Sequence, residues 1–133
     1  MNRDFKPINT TEGWQISNAP VFGMAPLIAS MDIFDQVGMV EINNKGQKIS
    51  NYLSYLITEK LPQVKIITPD EHGCQLSLIV PNGQSVFNKL SQRGIVCDWR
   101  EPDVIRFAPH PLFNTYLDIF NVVKVLQDTI SNG

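Results

Sequence analysis

The chain has 133 residues, 43% of them hydrophobic and 18% charged, with a formal net charge of -2. That fits one globular domain large enough to bury a core, and it excludes a disordered chain. It also argues against a nucleic-acid or polyanion partner, which would call for a clustered excess of Lys and Arg. No apolar run approaches the roughly 18 residues of a membrane span, and polar residues follow Met1, so a cytoplasmic, reduced setting is expected.

Residues 1–24 read as an extended segment or linker with little periodicity, turn formers and Trp14. A segment of this kind is expected to pack against something beyond it. Pro20 and Pro26 bracket a helix start, because proline suits a first turn and not a helix interior. From Ala25, Leu27, Ile28, Met31, Phe34 and Val37 fall at helical spacing. Gly38 interrupts that pattern, which resumes through Ile42, Ile49, Leu53, Leu56 and Ile57 to Leu61 before Pro62. This predicts two helices meeting at a bend or one kinked helix. Strands are expected at 64–68 and 74–80, since the first run is β-branched and the second partly alternates. Residues 84–94 form a short amphipathic helix closed by Gly94. Two more strands, 95–99 and 104–108, flank an Arg-Glu-Pro-Asp turn. Residues 115–130 form a strongly periodic helix with Asn114 or Thr115 as its N-cap and Asp118 in its first turn. The order predicts an α+β domain over 25–133, a small antiparallel or mixed sheet of about four strands covered by helices.

Arg106 is the most informative candidate. It alternates with Ile105 and Phe107, so if those face the core, its guanidinium faces the other side and offers a planar fork for a carboxylate or phosphate. The plain alternative is an exposed arginine paired with a neighbouring acid. His72, Cys74, Cys97 and His110 have zinc-ligand chemistry, but not the close-paired spacing of structural zinc sites. Buried or half-buried cysteines and loop histidines are expected instead. Asp98, Arg100, Glu101 and Asp103 read as a solvated charged turn. Ser17 and Asn18 either cap the helix beyond Pro20 or contact a ligand. No nucleotide-binding, serine-hydrolase or zinc-protease motif is present.

Three stretches together resemble the kynureninase family: EGWQISNAP (12–20), HGCQLS (72–77) following IITP, and RGIVCDWREP (93–102) running into IRFAPHPLFN (105–114). The resemblance covers nearly the whole chain and is similar to the C-terminal part of that family. It implies the small domain of a fold-type-I pyridoxal 5'-phosphate enzyme. A missing large domain would carry the cofactor on a lysine upstream of the segment resembling GWQISN. Neither Arg3 nor Lys6 stands in that context, so the chain looks truncated, with no catalytic residue of its own and no activity alone. The implied reaction is hydrolysis of L-kynurenine or 3-hydroxykynurenine to anthranilate or 3-hydroxyanthranilate and L-alanine, a step of tryptophan catabolism and NAD biosynthesis, in a homodimer. Arg106 matches the arginine that binds the substrate α-carboxylate. Ser17 and Asn18 match the segment lining the aromatic pocket, and Trp14 is a candidate cofactor contact. The chain departs from the family pattern at Ala19, where proline is typical, and at Phe113, where tyrosine is common. Two other readings stand beside this one: the small domain of a cysteine desulfurase-like relative, and a non-catalytic α+β ligand-binding module, since fold does not fix function.

Overall fold

The computed structural model describes residues 5–131. The chain divides into two compact units, Met1–Val37 and Gly38–Gly133. The division falls at Gly38, so the first long helix belongs with the leading segment.

The first unit holds a short 3-10 turn at Thr11–Trp14 and helix α1, Val21–Val37. The helix begins four residues before the predicted start at Ala25. The Pro20 carbonyl accepts the N–H groups of Gly23 and Met24 at 2.9 and 3.0 Å, which sets the first turn around Pro20. Pro26 therefore lies inside the helix, where it lacks the N–H that would bond one turn back. None of the residues of α1 is buried. Leu27, Ile28, Met31 and Ile33 are each more than half exposed.

In the second unit, helix α2 spans Met39–Lys60. Gly38 has φ of 82°, a left-handed value that glycine adopts without a Cβ clash, and this resolves the predicted bend as a true helix break. The buried face of α2 is Ile42, Gly46, Ile49, Ser50, Leu53, Leu56 and Ile57, the period of one helical stripe. Strands β1 (Lys65–Ile66) and β2 (Leu76–Ile79) are followed by helix α3 (Gly83–Gln92). Strands β3 (Asp98–Arg100) and β4 (Val104–Phe107) then lead to helix α4 (Tyr116–Ser131). All four strands are shorter than predicted; β1, β2 and β4 lie within their predicted runs, and β3 is shifted so that it ends at Arg100, one residue past the predicted 95–99.

The sheet is antiparallel throughout, in the order β1-β2-β4-β3. This settles the predicted choice between an antiparallel and a mixed sheet. Leu76, Leu78, Ile105 and Phe107 point to one face and are buried with Leu53, Leu90, Val123 and Leu126 from the three helices. Helix α4 packs against both α2 and α3. The second unit is thus an α+β domain with its core between the helices and one sheet face, as the order of elements predicts.

Candidate functional site

The open face of the sheet carries the candidate chemistry of the second unit. Strand alternation buries Ile105 and Phe107 and turns Arg106 to the opposite side, where 30% of its side chain stays accessible. It is not interred in the core. β4 is an inner strand, and its register sets Asp98 of β3 and Ser77 of β2 directly beside Arg106. Directly opposed residues on one face of an antiparallel sheet have their Cβ atoms close enough to interact. Arg106 Nε donates to Asp98 Oδ2 at 2.7 Å, and Nη2 donates to the same oxygen. Arg100 Nε donates to that oxygen as well, at 3.1 Å. Arg106 is thus paired with a neighbouring acid, as its plain alternative expected, while staying partly accessible.

These bonds hold the Asp98 carboxyl below its usual range, with the hydrogen bond from Arg106 as the largest cause. Asp98 is therefore not a loose member of a solvated turn. It is the strand residue that ties two arginines together, and the sequence reading missed it. The signal was available: closing a hairpin over residues 101–103 with Trp99 beside Ile105 sets Asp98 opposite Arg106. Asp103 has a separate job. Its carboxylate Oδ1 accepts the N–H of Gly83 at 3.0 Å, tying the hairpin to the start of α3.

Trp14, Ser17 and Asn18 belong to the first unit, and Arg106 to the second. Trp14 closes the 3-10 turn with its indole largely exposed. The Ser17 carbonyl accepts a hydrogen bond from Gln15 Nε2 at 3.0 Å. Ser17 and Asn18 line an open depression with Ile8, Glu12, Gln15 and Ile16. Among the described residues, neither the Ser17 hydroxyl nor the Asn18 amide hydrogen-bonds the first turn of α1, whose Gly23 and Met24 N–H groups bond to the Pro20 carbonyl as the first intrahelical bonds. The capping alternative for these two residues is not the one this fold uses.

The four residues of the zinc hypothesis take structural places. His72 Nδ1 lies 2.6 Å from the Gly73 carbonyl, and the His72 carbonyl accepts from Gln47 Nε2. The Cys74 sulfur sits against Gly46 of α2, so closely that a Cβ at that glycine would be 2.7 Å from it. Cys97 packs beside the core, and burial, helped by Asp98, pushes its thiol up to about 11. His110 stacks on Phe113 at 4.8 Å between ring centres, and its Nδ1 accepts the Leu112 N–H. No group of three or more potential metal ligands converges among the described residues. A cleft beside α4 is lined mainly by apolar residues, among them Ile95, Val96, Phe107 and Phe113, with Asn114 and Asp118 also in its wall.

Comparison with known proteins decides the family. Residues 42–126 match the family described as the kynureninase C-terminal domain. The chain belongs to the kynureninase family. A kynureninase of Xanthomonas oryzae pv. oryzae is 46% identical over 135 aligned positions, and one of Xanthomonas campestris pv. campestris is 44% identical. In both cases the alignment takes in 96% of this chain and 32% of the relative. The chain thus spans about a third of the kynureninases it matches. This family assignment favours the kynureninase reading over the desulfurase-like one.

Proposed function

We propose that the chain is the carboxylate-binding small domain of a pyridoxal-phosphate-dependent kynureninase that hydrolyses the β,γ carbon–carbon bond of L-kynurenine or its 3-hydroxy form. One observation carries this reading: a guanidinium on the open sheet face, held by a neighbouring carboxylate and still partly accessible. Such a fork suits an amino acid's carboxylate, because it fixes orientation as well as charge. Ser17 and Asn18, whose side chains do not cap α1, would line the pocket for the substrate's aromatic ring, and Asn18 would lie near the ring substituent.

Among the described residues, the fit to pyridoxal phosphate is limited to Trp14, whose exposed indole offers a stacking face. Lys6 is the only described lysine before Gly13, and it is not in the family's context for the anchoring residue. The anchor would belong to the large domain, in the two thirds of the relatives that this chain does not span. The bound cofactor would supply the electron sink, and the residues of this chain would bind and orient the substrate. A homodimeric, cytoplasmic parent enzyme is part of the same proposal. Both cysteines are free thiols, which suits a reducing compartment. No described helix is long and apolar enough to cross a membrane.

The test is Arg106→Lys in the full-length enzyme that carries this domain, with anthranilate fluorescence as the readout. Lysine keeps the charge and loses the fork, so kcat/KM for kynurenine should fall by about tenfold or more. Unchanged kinetics would remove Arg106 from the site.

A further inference from the structure

We propose that Asp98 is the positioning residue for Arg106, clamping one edge of its guanidinium so that the other is left for an incoming carboxylate. The proposal rests on the carboxylate reading of Arg106 given above.

A guanidinium donates through two edges, a side edge formed by Nε and Nη2 and an end edge formed by Nη1 and Nη2. Both hydrogen bonds that Arg106 makes among the described residues run from the side edge, and both end on Asp98 Oδ2. The end edge, with its two parallel N–H donors, matches a second carboxylate. Arg106 and Asp98 sit opposite one another on paired strands, so the clamp is anchored at both ends by the backbone ladder. A long side chain loses much rotamer entropy when it is ordered. If Asp98 orders it beforehand, less of that loss falls on substrate binding.

A carboxylate beside a carboxylate-binding arginine would ordinarily weaken the site by cancelling its charge. Here Arg100 shares the same oxygen, so two guanidinium groups and one carboxylate leave one net positive charge. The depressed carboxyl of Asp98 keeps this arrangement ionised at neutral pH. Orientation and charge therefore predict opposite outcomes when Asp98 is neutralised. Removing a negative charge alone would tighten binding of a carboxylate. Releasing the guanidinium would weaken it.

The experiment uses the full-length enzyme that carries this domain, with steady-state kinetics on its amino-acid substrate. Asp98→Asn should raise KM about tenfold and change kcat by about twofold at most, a split that a general loss of structure would not give. Asp98→Ser, shorter and equally neutral, should do the same and stands in if the asparagine variant folds poorly. On an Arg106→Lys background, Asp98→Asn should add less than about twofold, because it acts through a fork that is already gone. An unchanged or lowered KM in the Asp98 variants, with Arg106→Lys still impaired, overturns the clamp and leaves the carboxylate reading standing. A parental KM in Arg106→Lys overturns both.

Discussion

Single side chains on a sheet this small have well-defined surroundings, because alternation sends them to one of two very different faces. Ile105 and Phe107 enter the core, and Arg106 between them cannot. That much was legible from five residues of sequence. Asp98 was legible only by working out the pairing of β3 with β4, because charge near a turn, taken by itself, looks the same whether it is solvated or clamped. Cys97 shows the same divide. Its residue type allowed a metal role, but its place beside the core and next to Asp98 raises its thiol to about 11. The thiolate is the reactive form, so Cys97 should react with iodoacetamide at pH 7.5 more than tenfold more slowly than a free cysteine with an ordinary pKa of about 8.5. Mass spectrometry of the labelled peptide checks this, and alkylation as fast as that of a free thiol would contradict the burial described above. For Asn18, the expected outcome of Asn18→Ala in the full-length enzyme is a changed ratio of activity on kynurenine and its 3-hydroxy form. An unchanged ratio would count against its place near the ring.

Among the elements, those with a strong local signal were read closely, and those set by distant contacts were not. Helix α4 is the clearest case. Thr115 Oγ1 accepts the Asp118 N–H at 3.2 Å, while Asp118 Oδ2 accepts the Thr115 N–H at 2.8 Å, a reciprocal cap written in four residues. Thr115→Ala should cost about 1 kcal/mol in chemical denaturation. Those bonds lower the Asp118 carboxyl, the backbone N–H of Thr115 being the largest cause. Because the folded value lies below the unfolded one, this support is fully present above the ordinary range of about pH 4 and is lost as pH falls through the lower folded value. An NMR titration of the Thr115 amide should report that midpoint, and Asp118→Asn should abolish it. Pro26 marks the opposite case, since a proline rule placed the start of α1 too late. The start of α3 depends on Asp103, twenty positions along the chain, and no local pattern showed it. A Cβ at Gly83 would lie 2.8 Å from the Asp103 Cα. Gly83→Ala should therefore cost about 1–3 kcal/mol by overpacking, even though alanine is the better helix former.

At the scale of the molecule, the two units differ in how much they bury. The second has a continuous core from α2 through α4. In the first, none of the described residues from 5 to 37 is buried, although Phe5, Trp14, Ile16 and Phe22 are all large and apolar. A helix with apolar residues around much of its surface ordinarily lies inside a larger protein. Exposed apolar area of this kind marks an interaction site more often than a solvent face. This is the pattern expected if the leading unit is completed by the large domain of the proposed parent enzyme, consistent with the one-third span of the matching kynureninases. Catalysis should then need both parts. The 133-residue chain, given pyridoxal phosphate and kynurenine, is expected to yield no anthranilate fluorescence above a cofactor-only control. Borohydride reduction should fix the cofactor on no single preferred lysine, because none stands in the family's anchoring context. Joining the chain to the large domain of its parent should restore both turnover and a unique labelled lysine. Sustained turnover by the chain alone would mean that its own residues supply the anchor, and the division of labour between the two domains would be wrong.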